Sequence, residues 1–453
     1  MSTITLLRAL SSALLLTPAA LAAQTIRVVA RAPVVLDLPG RPLGEPTLAV
    51  HPADSRHLLA AAMVHDPTAK LGDTTRARIG CAAFVSLDDG ATWRQHIFDV
   101  RGCFDPSIVI TPSGRAVFAA LGLDPTAPQQ GDVLLVFNSP DGGSTWDKRA
   151  VSLGRGHDHP MVVVDQSDSA RADWVYVVSS LMARADNAVL RFGLAVARSR
   201  NGARRFDPLT FLRPTTLMGL AETPAVLSDG TLVVPYVEPA LGDGRTMLPR
   251  RRAWLLKSRD GGFEFSRPLY VNEACGSSTA AFSLSALAAD PSTGASRDRL
   301  YFACNQASPS DVVVSASDDR GESWTVVRPV GGLLADSTMT RKLMGTAVSS
   351  RGILGVVWVE RGRNVGDRCA EDVYFTASTD GGKAFLPAER IASGAACAVS
   401  RENGEAFPGD YFGLATDSEG RFRLLWSGVG ERLLRLRLAT IEVVGASPSS
   451  RSP

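Results

Sequence analysis

Residues 139–146 read SPDGGSTW, a polar turn around two glycines that ends on an aromatic ring. The pattern recurs at 86–93 (SLDDGATW), 258–265 (SRDGGFEF), 317–324 (SDDRGESW) and 378–385 (STDGGKAF), with a looser copy, SRNGARRF, at 199–206. The copies begin at Ser86, Ser139, Ser199, Ser258, Ser317 and Ser378, which are 53, 60, 59, 59 and 61 residues apart. A near-constant period of this size marks an array of supersecondary units.

Between the octets the same order returns: a short apolar stretch, a turn, a second apolar stretch, a variable loop, and an apolar strand that runs into the next octet. The first two stretches read EPTLAVHPADSRHLLAAAMV from Glu45, DPSIVITPSGRAVFAAL from Asp105 and DHPMVVVDQSDSARADWVYVVSS from Asp158. They return as AETPAVLSDGTLVVPYVEP from Ala221, SLSALAADPSTGASRDRLYFACN from Ser283, MGTAVSSRGILGVVWVE from Met344 and GDYFGLATDSEGRFRLLWSG from Gly409. Each is a pair of β-rich runs about a Gly, Ser, Asp or Pro turn, which is a hairpin signature. Four strands per period, repeated radially, predict an all-β propeller of four-stranded antiparallel blades. Seven strand pairs predict seven blades, the last closed by an N-terminal strand near TIRVVARAPVVL; six blades plus an extra hairpin is the alternative.

The octet is then the hairpin between a blade's third and fourth strands. Its Asp accepts hydrogen bonds from the turn's own N–H groups, and its Gly takes a positive φ that a Cβ would penalise. The closing Trp or Phe buries a large face between sheets. These carboxylates pin turns and are not expected to do chemistry.

The chain has 453 residues, 45% hydrophobic and 21% charged, as in a globular protein. A net charge of +2 offers no field to draw nucleic acid or an anionic membrane. Arginines cluster only locally, at Arg250–Arg252 and Arg361–Arg368, where a small anion could be held. Arg8, the apolar run through Leu14–Leu16 and the small-residue site Ala20-Leu21-Ala22 read as a secretory signal peptide over 1–23. The propeller is expected over 24–444 and a disordered tail over 445–453. No later run approaches the ~20 apolar residues of a membrane span, so the protein is expected to be exported, to a periplasm or out of the cell.

Export permits disulfides, and six cysteines allow fifteen full pairings. Sequence neighbours favour Cys81–Cys103, Cys275–Cys304 and Cys369–Cys397, spaced 22, 29 and 28 residues; buried free thiols are the alternative. No C-x-x-C pair suggests a metal. His157, Asp158 and His159 stand together in GHDHP, but alternate strand residues face opposite sides, so no metal site is expected from them. No G-x-S-x-G elbow, P-loop or G-x-G-x-x-G turn is present, and no cofactor is implied.

The octets resemble the Asp-boxes, or bacterial neuraminidase repeats, of the sialidase superfamily, and the resemblance spans nearly all of the chain after the signal peptide. It implies an exported, sialidase-like retaining glycoside hydrolase that removes terminal sialic acid or a similar acidic sugar, with its site on the face away from the octets. Asp-box propellers also include other glycosidases and binding proteins, so two alternatives stand beside it. One is a non-catalytic propeller that binds a glycan or protein at the cell surface; the other is a hydrolase or lyase of another polysaccharide. The resemblance implies Tyr411, in GDYFGLATDSEGRF, as nucleophile and Glu222, in AETPAVLSDGTLVV, as its base. It implies Asp73, in the loop VHDPTAKLGDTTRARIG, as general acid and base, with Asp66 its competitor. Arg252 and Arg368 resemble two of three arginines that clamp the sugar's carboxylate. The family's F/Y-R-I-P motif for the other is absent, and Arg31 in ARAPVVL is its nearest counterpart.

Overall fold

A computed structural model describes residues 26–66, 79–124, 132–185, 188–213, 222–242, 246–276, 285–306, 311–331, 339–362, 371–396, 409–429 and 433–445. They form seven antiparallel sheets and no helix, so none of them lies in a helix long and apolar enough to cross a membrane. Six sheets are built from four consecutive strands, with innermost strands Leu43–His51, Phe104–Ile110, His157–Val164, Ala225–Val226, Ala286–Ala289 and Met339–Val348. These are blades 1 to 6.

Blade 7 runs through Gly413–Thr416, Phe422–Val429 and Leu434–Val444 and takes its outer edge from the other end of the chain. Arg27–Ala30 and Val34–Leu36 both pair with Leu434–Val444, Arg27 opposite Val444 and Val34 opposite Leu438. The closing N-terminal strand foreseen from the sequence is therefore present, in two segments.

Seven hydrophobic clusters hold the ring, one in each seam between neighbouring blades. Alternation along each strand sends successive side chains to the two faces of a blade, so both faces must be apolar. Between blades 1 and 2, Phe98 stacks on Phe118 at 4.2 Å and meets Trp146 of the octet edge-on at 5.2 Å. Such ring pairs contribute about 0.5–1.5 kcal/mol beyond their burial.

All six octets turn from third to fourth strand and share one bonding scheme. In SPDGGSTW the Ser139 hydroxyl donates to Asp141 Oδ1 at 2.9 Å and accepts the Gly143 N–H at 2.7 Å. Asp141 also accepts the Thr145 N–H at 2.7 Å and the Thr145 hydroxyl at 2.8 Å. The degenerate copy keeps the scheme with an amide, Asn201 Oδ1 accepting from Ser199 and the Arg205 N–H at 3.0 Å each. Where the sequence suggested one left-handed residue per turn, there are two in succession, Gly142 and Gly143 at φ 67° and 96° here, Asp89 and Gly90 at 65° and 86° in the first octet.

The octets also face across seams. The His57 ring of blade 1 donates to the Gly142 carbonyl of the next octet at 2.7 Å, and a Cβ on Gly142 would fall 2.3 Å from that ring. Arg198, Lys257 and Arg423 likewise reach the octets of the blades that follow theirs. Ser139→Ala would strand the buried Gly143 N–H, and a loss of about 1–3 kcal/mol is expected in denaturant unfolding; an unmoved midpoint would show that the hydroxyl is dispensable.

Two disulfides, Cys81–Cys103 and Cys275–Cys304, with Cα atoms 5.6 and 5.5 Å apart, are the first two pairs expected from spacing. Each ties one blade to its neighbour. Cys369 and Cys397 lie outside the described residues, as do the signal segment and the tail beyond Gly445.

Candidate functional site

Eight residues other than glycine have positive φ among the described residues. Asp89, Ala203 and Arg320 sit in octets, while Asp173 and Asp298 close the hairpins between first and second strands. The remaining three, Glu45, Asp105 and His159 at φ 47°, 51° and 50°, lie inside the innermost strands of blades 1, 2 and 3.

Each of the three precedes a proline: Glu45-Pro46, Asp105-Pro106 and His159-Pro160. Each also stands where the pairing register slips, between Gly44 and Thr47, Phe104 and Ser107, and Asp158 and Met161. Proline donates no N–H to the ladder and disfavours helical backbone in the residue before it, so the strand bulges there. Left-handed backbone at such a residue costs about 1–3 kcal/mol, and strain of this kind concentrates at functional sites.

The bulges are linked in series around the axis. The Asp105 N–H donates to Glu45 Oε2 at 3.2 Å, and the Asp105 carboxylate accepts the His159 N–H. The His159 ring meets Tyr411 edge-on with centroids 5.8 Å apart. Gly409, two residues before Tyr411, packs so closely on Glu45 that a Cβ would fall 2.8 Å from the Glu45 backbone. Lys342 of blade 6 donates to Asp410 at 2.7 Å. Blades 1, 2, 3, 6 and 7 thus converge at the end of the ring opposite the octets.

Below Tyr411 and His159 an axial cavity of about 390 Å³ runs between the innermost strands of all seven blades. Leu48, Ile108, Met344 and Phe412 make much of its wall apolar, and Pro52, Gln166 and Thr416 line its octet-side end.

Burial sets the electrostatics of the mouth. Desolvation pushes the Glu45 carboxyl well above the usual range, with Asp105 and Asp410 adding to the rise. Desolvation likewise pushes Asp105 up to about 6, against the opposing pull of His159. The Tyr411 phenol is raised well above its ordinary value by burial and then by Glu45, Asp105 and Asp410.

The sign of the consequence for stability follows from linkage. A carboxyl raised in the folded state holds a proton there that the unfolded chain has released, so its contribution is complete below about pH 4 and is lost as pH rises through 6. Asp105→Asn removes this dependence, so the variant's unfolding midpoint is expected to change less than the wild type's between pH 4 and 7. Parallel pH profiles for the two proteins would contradict the burial of that charge.

The site residues expected from sequence fall in different places. Tyr411 lines the cavity mouth. Glu222 is fully buried just ahead of the innermost strand of blade 4, its two oxygens accepting the Ser285 N–H at 3.1 Å and the Ser285 hydroxyl at 3.2 Å. Burial raises its carboxyl well above the usual range. Its neighbours Thr223 and Ser285 line the cavity, but the carboxyls that act most on Tyr411 are Glu45, Asp105 and Asp410. Arg252 stands on the third strand of blade 4 against Glu273 at 3.4 Å.

Arg31 is exposed on the outer edge of blade 7, ion-paired with Glu442 in a surface hollow with Arg351 and Arg421, at the octet end. The structure does not bring it together with Tyr411. Asp73 and Arg368 lie outside the described residues. Glu45, Asp105, Lys342 and Asp410 were not singled out from sequence, and His159 was weighed only as a metal ligand. Three of them share one feature that was not drawn on, an acid or His before Pro at the head of three successive apolar runs.

Neither a protein-family model nor a curated protein sequence matches the chain. Among solved structures, the NanB sialidase of Streptococcus pneumoniae aligns at 12% identity and a TM-score of 0.48, over 92% of this chain and 71% of that one. A PL25 ulvan lyase aligns at 10% identity and a TM-score of 0.47, over 76% and 82%. A Dyadobacter fermentans protein of unknown function aligns at 12% identity and a TM-score of 0.52, covering 92% of this chain and 99% of that one. At that identity the likeness is one of fold, and it extends along nearly the whole of both chains.

Proposed function

We propose that this protein is a carbohydrate-active propeller that works outside the cytoplasm as a retaining exo-glycosidase, with Tyr411 as nucleophile. The observation that carries the reading is a phenol held at the mouth of an axial cavity in the field of three carboxyls. Its raised pKa means that no phenolate is present near neutral pH, so the proton must leave as the oxygen attacks the sugar. The octet resemblance supplies the rest: Asp73 protonates the departing oxygen and later activates water, while Arg252 and Arg368 hold the carboxylate of sialic acid or a similar acidic sugar. Glu222 fixes Ser285 on the cavity wall, and Arg31, at the far end, takes no part. Both disulfides suit an oxidising compartment.

Three ionised carboxyls would repel an acidic sugar. Burial raises the Glu45 carboxyl well above the usual range, and Lys342 is ion-paired with Asp410, so two of the three charges are reduced and such a ligand is admissible. One observation favours a second reading: the His159–Tyr411 ring contact offers a base and an acid for β-elimination of a uronate polysaccharide.

The test is turnover of fluorogenic sialosides and neutral glycosides, with product anomers followed by NMR, beside ultraviolet detection of unsaturated uronate from acidic polysaccharides. Release of sugar with retained configuration supports the hydrolase, and unsaturated product supports elimination. Glycan binding without either product leaves the non-catalytic binding propeller.

A further inference from the structure

We propose that Glu45 and Asp105 act as one carboxyl dyad that receives the Tyr411 proton during attack on the sugar, in the place the octet resemblance gives to Glu222. The inference rests on the hydrolase reading above and names the base within it.

Three features of the dyad point the same way. Glu45 and Asp105 occupy the same strained bulge on adjacent blades, and the main chain of one is hydrogen-bonded to the side chain of the other at 3.2 Å, which fixes their relative position. The contact of Gly409 with the Glu45 backbone sets the segment carrying Tyr411 against Glu45. Two residues beyond Glu45, Thr47 lines the cavity with a shielded Oγ1 that has no hydrogen-bond partner among the described residues, a polar atom left for a ligand hydroxyl. Glu222, by contrast, already accepts two hydrogen bonds from Ser285.

The groups facing the dyad are Asp158 and His159 from blade 3, Asp410 and Tyr411 from blade 7 and Lys342 from blade 6. In the first step Tyr411 Oη bonds to the anomeric carbon, its proton passes to the dyad, the glycosidic C–O bond breaks, and the departing oxygen takes a proton from the general acid. In the second, water attacks the same carbon and gives a proton to the general base. The Tyr411–sugar bond breaks as the water–carbon bond forms, and the dyad returns its proton to Oη. The Asp105 charge acts on the Glu45 carboxyl, and carboxyls that interact in this way titrate as a pair, so a dyad fully protonated in acid has no capacity left to serve as base.

The experiment compares the full-length wild type with Glu45→Gln, Asp105→Asn and the double variant. One readout is kcat/KM against pH on a glycoside that the wild type cleaves; the other is the infrared carbonyl band of protonated carboxyls without substrate. Each single change is expected to lower kcat/KM at neutral pH about 10²–10⁴-fold and to move the acid limb. The double variant should be little worse than either, as for groups acting as a unit. Should Asp105→Asn not fold, Glu45→Asp replaces it and should retain an acid limb at reduced rate. An unmoved acid limb with kcat/KM within a few fold of wild type overturns the dyad. If the wild type cleaves no glycoside, the hydrolase reading fails by itself. The infrared band then decides, read as the difference from the wild type because Glu222 contributes to it in every variant: a loss of intensity on either substitution upholds a proton-sharing pair, and unchanged intensity in both overturns it.

Discussion

Tyr411→Phe is expected to lower kcat at least about a thousandfold on any glycoside the wild type cleaves, with little change in KM. Loss of a nucleophile removes an interaction formed in the transition state and not in the bound ground state, so kcat falls and KM does not rise. The substitution deletes one oxygen and keeps the ring, so the edge-on contact with His159 at 5.8 Å survives. The lost hydroxyl stands in the field of three carboxyls, and its removal takes no aromatic packing from the cavity mouth. Unfolding should therefore be as cooperative and as late as in the wild type. Activity above a tenth of wild type would remove Tyr411 from the chemistry, and with it the reason for placing the reaction at this end of the ring.

The largest effect on stability is expected from Arg423→Ala. Arg423 is 1% exposed, yet it carries a full charge into the seam between blades 7 and 1. Its Nε donates to Asp417 at 3.0 Å and its Nη1 to the Thr440 hydroxyl at 2.7 Å, while Nη2 reaches Asp89 in the first octet. Asp417 is itself buried, so truncating the arginine removes one of the two cations that pair with it. Breaking a buried pair from one side typically costs about 3–5 kcal/mol. Arg31→Ala, which removes a cation that is 61% exposed, should cost about 0–1 kcal/mol by the same measurement. A denaturant midpoint for Arg423→Ala as close to wild type as that of Arg31→Ala would show that the seam does not depend on this charge.

The ring was legible because its signals are local and repeated. Ser139, Asp141, Gly143 and Trp146 write a complete turn within eight residues, and six near-copies at even spacing leave few architectures open. Two disulfides were legible for the same reason, each joining cysteines about half a repeat apart.

The site was only half legible. Tyr411, which lines the cavity mouth, was reached through the octet resemblance, and the groups beside it come from blades that are remote in sequence. Asp105 and Glu45 are 60 residues apart and meet only because the sheets are arranged about an axis. Glu-Pro, Asp-Pro and His-Pro looked like ordinary strand beginnings, since a residue before proline normally extends. The left-handed backbone they adopt is imposed by the pairing of the whole strand and has no local signature.

The way blade 7 is completed has a consequence for biosynthesis. Residues 27–36 leave the ribosome well before Leu434–Val444, the strand they pair with, so they wait through the synthesis of six blades before finding their hydrogen-bond partners. Until then the wall formed by Leu48, Val50 and Leu58 has no opposing surface from Leu425, Leu436 and Leu438. A nascent chain of this design carries an open, greasy flank through synthesis and is sealed only when residues 434–444 arrive, so a stop codon within that strand yields an unsealed, aggregation-prone chain instead of a shorter working protein.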